Sequence, residues 1–220
     1  MAPKIDEIKQ TDRTRVRRIP KRGLYDRESI YAVLDASFIC HVGFVVDGQP
    51  YVIPTGYARR GDTLLIHGSS ASRMLRDLAE GVDVCVTVTI LDGLVLARSA
   101  FNHSMNYRSA VVLGKATVIT GDKEKNEALL ALSEHFIRGR WDEVRLPTEL
   151  ELKATTVLSL PIDEASAKVR DGGPVDDHED YELDVWAGVL PMQMTIGEPI
   201  ADAKLKDGIE IPSSVKNYRR

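Results

Sequence analysis

The segment His67-Gly68-Ser69-Ser70-Ala71-Ser72-Arg73 concentrates polar chemistry in one place. It holds three hydroxyls, a glycine that permits close backbone approach, and a guanidinium that can fork onto two oxygens. All stand directly before a helical pattern, where unpaired N–H groups and a positive dipole end gather. This is the equipment for a phosphate. The same residues also allow a plain helix start, capped by Ser70 or Ser72 with Arg73 in water. A second segment, Tyr51-Val52-Ile53-Pro54-Thr55-Gly56-Tyr57, places a proline inside a β run. Pro54 has no N–H to donate and belongs at an edge or bulge, where backbone groups either meet a ligand or face solvent. A third, Asn102-His103-Ser104-Met105-Asn106-Tyr107-Arg108-Ser109, is dense in hydrogen-bonding side chains and reads equally as a solvated loop. In the fourth, Asp184-Val185-Trp186-Ala187-Gly188-Val189, Trp186 suits a core or a dimer contact.

Other chemistries lack their residues. His41, His67, His103, His135 and His178 are dispersed, with no HxxxH, HxH or Cys/His pairing, so no metal site is expected. No GxSxG, P-loop or GxGxxG occurs, which leaves serine hydrolysis and dinucleotide folds without support. His67 and His103 are candidate proton donors, with a satisfied structural histidine as the alternative for each.

The elements that must position these segments are mostly strands. Asp26 can cap a short helix with Ile30, Val33 and Leu34 on one face. Residues 37–46 read as a strand ending at Asp47-Gly48, a strong two-residue hairpin signal, and Tyr51 to Arg59 as its return. Gly61-Asp62 turns into a third strand, Thr63 to His67. Met74, Leu75 and Leu78 then keep helical spacing until Gly81. Val82 to Ile90 alternates as a strand, and Asp92-Gly93 is expected to turn it back into a strand at 94–101. A loop at 102–106 leads to a long strand from Tyr107 to about Thr120. Asp122 is expected to cap a helix to about Ile137, with Leu129, Leu132 and Phe136 as its buried stripe. Residues 154–162 and 165–170 read as strands, 183–190 as one more, and 191–220 as an irregular, partly extended tail. There is no internal repeat. The spacing predicts a mainly β antiparallel barrel or sandwich with inserted helices. Turns this short exclude a doubly wound parallel sheet.

The 220 residues divide into a basic arm (1–22), a barrel domain (23–190) and the tail (191–220). Lys and Arg number 29 against 33 Asp and Glu, a formal net charge of −4, which argues against a nucleic-acid binder. The average hides an asymmetry. The arm carries eight basic against three acidic residues, and 171–184 carries seven acids with no Lys or Arg. Both read as solvated surface. Cys40 and Cys85 sit in apolar runs and are expected to be reduced core thiols. The start Met-Ala-Pro-Lys-Ile-Asp lacks a signal-peptide core, and the apolar stretch at 33–46 is interrupted by Asp35, Ser37 and His41. A cytoplasmic protein that engages no membrane is expected.

Taken in order, the segments resemble the pyridoxamine 5′-phosphate oxidase-like flavin-binding split barrels, and within them the branch related to nitroimidazole-resistance reductases. The resemblance spans about residues 20 to 192. It is carried by Tyr51-Val52-Ile53-Pro54-Thr55, the His67-Gly68-Ser69-Ser70 junction, Leu96-Ala97-Arg98-Ser99-Ala100-Phe101, Asn106-Tyr107-Arg108-Ser109 with Gly114-Lys115-Ala116, and Trp186-Ala187-Gly188-Val189. It implies an antiparallel split barrel and a homodimer with FMN at the subunit interface. Val52, Ile53, Pro54 and Thr55 then match the strand along the isoalloxazine ring. His67, Gly68, Ser69, Ser70, Ser72 and Arg73 match the phosphate junction, where the family often has Lys at the place of Arg73. Asn106, Tyr107 and Arg108 match a segment near the flavin or the dimer seam, and Trp186 an aromatic that reaches the flavin from the second subunit. The vitamin-forming oxidases carry a C-terminal Arg-x-His arrangement; here the chain after Trp186 reads Ala-Gly-Val-Leu-Pro-Met, so true pyridoxamine phosphate oxidase activity is not expected. The reading that follows is an FMN-dependent oxidoreductase of a small molecule, its substrate and reductant unnamed. The alternatives are a flavin store or sensor, or a split barrel that uses deazaflavin or, with an accessible histidine ligand, haem.

Overall fold

The computed structural model describes residues 6–219; the first five residues of the expected basic arm, and Arg220, lie outside the described residues. In chain order the elements are β1 (Gly23–Leu24), α1 (Arg27–Asp35), β2 (Ile39–Val46), β3 (Gln49–Arg60), β4 (Thr63–Ser69), α2 (Arg73–Ala79), β5 (Asp83–Leu96), β6 (Ser104–Lys115), β7 (Thr117–Val118), α3 (Asp122–Phe136), α4 (Glu149–Ala154), β8 (Thr155–Pro161), β9 (Glu164–Arg170), β10 (Gly188–Pro191) and α5 (Ser213–Lys216). Antiparallel pairing dominates, as the sequence predicts for a split barrel. Among the described residues no helix is long and apolar enough to cross a membrane.

The chain forms two compact units. The first contains Phe38–Val86, Leu113–Asp163 and the segment from Ile196 onward. Its strands pair in the order β2-β3-β4-β8-β7. Asp47 and Gly48 both take left-handed backbone (φ 49° and 77°), as a two-residue hairpin turn requires. Gly81 (φ 85°) follows the end of α2. Gly121 occupies the N-cap of α3 and Asp122 is its first helical residue, where its charge favours the positive helix end. Ala128 and Leu132 are the buried face of α3, packed with Ala58, Leu65 and Val157; Leu129 and Phe136, expected in the stripe, lie at the margin of that cluster. Gly56 leaves room for the Phe136 ring, whose tip would lie 2.8 Å from a β-carbon there. Cys40 is buried, and burial pushes its thiol up to about 12; Cys85 is half-buried and likewise free of disulfides.

The expected tail is mostly irregular, but it ends docked. Glu143 accepts hydrogen bonds from Ser213 Oγ (2.8 Å), Ser214 N (3.1 Å) and Ser214 Oγ, and Tyr218 donates to Phe136 O (2.9 Å). These bonds, led by Ser214, hold the Glu143 carboxyl down at about 2. Because the docked form has the lower pKa, its contribution is present above the ordinary carboxylate range and fades as pH falls from about 4.5 toward 2. In a Trp186→Phe background, the emission of Trp141, two residues from Glu143, is expected to change reversibly across that window. Glu143→Gln should remove the transition; an identical titration in that variant would release Glu143 from this role.

The second unit contains the chain up to Ser37, Thr87–Val112 and Glu164–Thr195. Its strands run β1-β9-β6-β5, with β10 on β5. Asp26 caps α1 by accepting from Ser29 N at 2.7 Å, and Ile30, Val33 and Leu34 are buried as expected. Four local expectations change. β5 runs unbroken through Asp92-Gly93, because Gly93 provides the space for β10: a β-carbon there would lie 3.0 Å from Leu190 O, and Met192 N donates to Asp92 O at 3.0 Å. β5 stops at Leu96, and β6 starts at Ser104, inside the expected loop. The strand expected to run on to Thr120 ends instead at Lys115, with β7 a separate short piece. The strand expected from 183 begins only at Gly188. Nor is the basic arm wholly solvated: Ile8 and Thr14 are buried, and Arg13 and Thr11 bond Glu164.

Candidate functional site

In the first unit the sheet opens where the two leading sequence segments meet. The β3–β4 ladder ends at Tyr57–Ile66. Before that point β3 pairs with β2, Pro54 lying opposite His41. Beyond it β4 pairs with β8, from His67–Val157 to Ser69–Thr155. Residues 51–56 and 67–69 therefore form two lips of a split, and a proline on one lip costs no hydrogen bond to the other. Val52 and Pro54 are exposed, Ile53 and Thr55 half-buried.

The junction after β4 keeps its polar groups available. Ser72 is the N-cap of α2 but its hydroxyl makes no cap bond. Ser69 Oγ accepts from Ala71 N (3.2 Å), Ser70 N donates to Ala154 O (2.9 Å), and Ser72 N to Ser69 O (2.9 Å). The guanidinium of Arg73 is exposed and lies over the Tyr51 ring, 4.7 Å from its centroid. This contact joins the start of β3 to the start of α2, two segments that the sequence presents apart. At Gly68 a β-carbon would press on Leu75 Cδ1 at 3.0 Å, so the missing side chain lets α2 pack close to the end of β4.

His67 lies two residues beyond Leu65 on β4, so the alternation of the strand puts both on the face packed by α3. It lines an open-sided cavity of about 430 Å³, with Leu129, Leu132 and Phe136 of α3, Trp141 and Pro147 among its walls. Its Nδ1 is buried without a hydrogen-bond partner, and burial holds the ring's pKa below the ordinary histidine value. The imidazole is therefore neutral at physiological pH. Arg145 also lines the cavity and forks onto Glu151 with two bonds of 2.8 Å. Glu151 closes a capping box with Thr148 at the start of α4, and the Arg145 fork with these bonds holds its carboxyl at about 2. The β run in the sequence marks His67 but not these walls. The Thr148-x-x-Glu151 pattern was the signal available for them.

The second unit holds the remaining candidates. Arg108 forks onto Asp92 at 2.9 and 2.7 Å, which raises its pKa further. The Asn106 amide bonds Gly172 O (3.0 Å) and accepts from Arg170, a buried guanidinium that also reaches Gly173 O (3.2 Å). Desolvation, with repulsion from Arg22, lowers the Arg170 pKa. Tyr107 is half-buried. His103 Nδ1 accepts from Ala97 N at 3.0 Å. Trp186 is 69% exposed, so the core role is excluded; its ring lies against Gly188. Missed in the sequence was Asp176: its carboxylate is fully buried and binds Arg98 N (2.9 Å) and Arg98 Nη1 (3.1 Å).

The family model described as pyridoxamine 5′-phosphate oxidase matches residues 26–169. No curated protein matches the chain. Among solved structures, the flavocytochrome Anf3 from Azotobacter vinelandii is similar at 42% identity over 95% of this chain and 97% of that one, with a TM-score of 0.90. An FAD and heme binding protein from Mycobacterium smegmatis is 42% identical over 89% of this chain and 96% of that one, TM-score 0.86. A protein from Bacteroides thetaiotaomicron VPI-5482 named for 5-nitroimidazole antibiotic resistance is 25% identical over 67% of this chain and 86% of that one, TM-score 0.56.

Proposed function

The chain belongs to the pyridoxamine 5′-phosphate oxidase family, and on that premise we propose that it is a flavin-binding redox protein with its flavin at the split between β3 and β4. The observation that carries the reading is the opening of the ladder past Tyr57–Ile66, with Arg73 beyond one lip reaching Tyr51 on the other. Val52 to Thr55 would lie along the ring system, and the Ser69, Ser70 and Ser72 hydroxyls with Arg73 would hold the phosphate next to riboflavin. That half of the cofactor is common to FMN, which the sequence resemblance implies, and FAD, which the name of the M. smegmatis protein favours. A flavin, when bound, supplies hydride and one-electron chemistry; the chain supplies binding, orientation and electrostatics. No nucleophilic side chain is required. Trp186 (69% exposed) and Phe101 (93% exposed), both in the second unit, are large apolar groups that a second copy of the chain would cover, in keeping with a homodimer.

A second reading adds haem to the flavin. It is favoured by the names of the two 42%-identical proteins, a flavocytochrome and an FAD and heme binding protein. The residues present fit such a group, since His67 is a neutral imidazole in a cavity with a buried nitrogen left unpartnered.

The absorption spectrum of the freshly purified protein tests the first reading. Flavin bands that bleach with dithionite are expected, and chromatography of the acid-released cofactor will separate FAD from FMN. A colourless protein that takes up neither nucleotide would overturn it.

A further inference from the structure

We propose that the cavity lined by His67 and α3 is a haem pocket and that the His67 imidazole would hold the iron. The inference rests on the haem reading above and assigns it a place and a ligand, which nothing in the names of similar proteins supplies.

The histidines can be distinguished by what their rings already do. His103 spends Nδ1 on Ala97 N. His135 is packed among aromatic rings, with centroids 5.4 Å from Tyr57 and 6.3 Å from Phe38. His41 and His178 are exposed on the surface. His67 is half-buried, lines a cavity, and carries a buried nitrogen that makes no hydrogen bond. A buried unpaired polar atom is costly, and in a native protein it calls for a partner or a functional role. Neutral imidazole is the usual proximal ligand of haem iron in globins and peroxidases.

The walls suit a macrocycle. Leu129, Leu132, Phe136, Trp141 and Pro147 present aliphatic and aromatic surface, and the volume of about 430 Å³ falls within the roughly 300–1,000 Å³ of small-molecule and cofactor pockets. The side is open, so the polar edge of a porphyrin can stay in water. Arg145 is the cation among the lining residues and suits a propionate. Glu151, which now takes both arms of its fork, would share it. Val52–Thr55 and Arg73 are not among the residues that line this cavity, so filling it leaves them to the flavin.

The test is titration of the full-length protein with ferric protoporphyrin IX, followed by the Soret band. Wild type is expected to bind at micromolar concentration with a red-shifted histidine-ligated band. His67→Ala should lose that band or bind at least tenfold more weakly. In His67→Gly, added imidazole should restore the wild-type spectrum, which a merely misfolded variant would not do. A wild-type spectrum retained in His67→Ala would overturn the assignment to His67. No Soret shift in wild type would overturn the pocket. Flavin content, read on the same samples from the fluorescence of released cofactor, separates the outcomes: flavin without haem removes this inference and leaves the flavin reading intact, and neither cofactor removes both.

Discussion

Asp176→Ala is expected to lower stability by about 2–4 kcal/mol, although Asp176 belongs to a run of seven acids that reads as solvated surface. Its side chain is fully buried and accepts from Arg98 N at 2.9 Å and from the Arg98 guanidinium at 3.1 Å. Arg98 in turn lies over the Tyr181 ring at 4.9 Å, and Tyr181 accepts from Asp176 N at 3.4 Å. Alanine would leave an amide and a partly buried cation without their acceptor. The Arg98 side chain is 24% exposed, so water recovers part of the loss, and the expectation stays below the upper end for a fully buried pair. Asp176→Asn keeps one acceptor for the amide and should cost less than alanine. Urea unfolding of the three proteins gives the ordering, and hydrogen exchange at the Arg98 amide shows whether the damage is local. A loss below about 0.5 kcal/mol, the range of an ordinary surface change, would mean that solvent replaces these contacts.

Asp176 also shows where reading the sequence stops. Elements fixed by neighbours in the chain were legible: the Asp47-Gly48 turn, the Asp26 cap, the Met74-Leu75-Leu78 face of α2 and its end near Gly81. Each depends on backbone preference or local periodicity. Asp92-Gly93 carries the same dipeptide as the first turn, yet it lies in mid-strand, because its glycine answers to β10 and its aspartate to Arg108. A dipeptide signals local geometry and cannot report a partner far along the chain. The same limit hid the His67 cavity. The β run announced His67, but its walls come from α3 and from the stretch around Trp141, Arg145 and Pro147. α4 escaped notice because six residues give too short a period to read, leaving its capping box as the clue.

The candidate site divides along the same line. Ser69 to Arg73 stand out together because the hydroxyls and the guanidinium proposed to hold phosphate are contiguous in sequence. What the sequence left open was whether Arg73 faces water alone or is placed. The structure resolves that by stacking its guanidinium on Tyr51, at the beginning of the strand that forms the opposite lip. Such a stack orients the fork without spending its N–H groups, and it costs less rotamer entropy at binding than a freely moving arginine would.

Removing that fork should therefore weaken flavin binding strongly and folding hardly at all. Arg73→Ala is expected to raise the dissociation constant for the flavin nucleotide by about 10–100-fold, the equivalent of a charge-assisted phosphate contact of roughly 1.5–3 kcal/mol. Because the side chain is exposed, the urea midpoint should stay close to that of the wild type. Arg73→Lys keeps the charge but loses the planar fork, so its affinity should fall between the two. Tyr51→Leu keeps the charge and the fork but removes the stack; a smaller loss, visible with FMN or FAD but not with riboflavin, would show that the ring acts by orienting Arg73 toward phosphate. Fluorescence titration of flavin-stripped protein with riboflavin, FMN and FAD measures all of these. If Arg73→Ala binds FMN and FAD as tightly as wild type does, the phosphate is held elsewhere, and the split between β3 and β4 loses its claim to the cofactor's charged end.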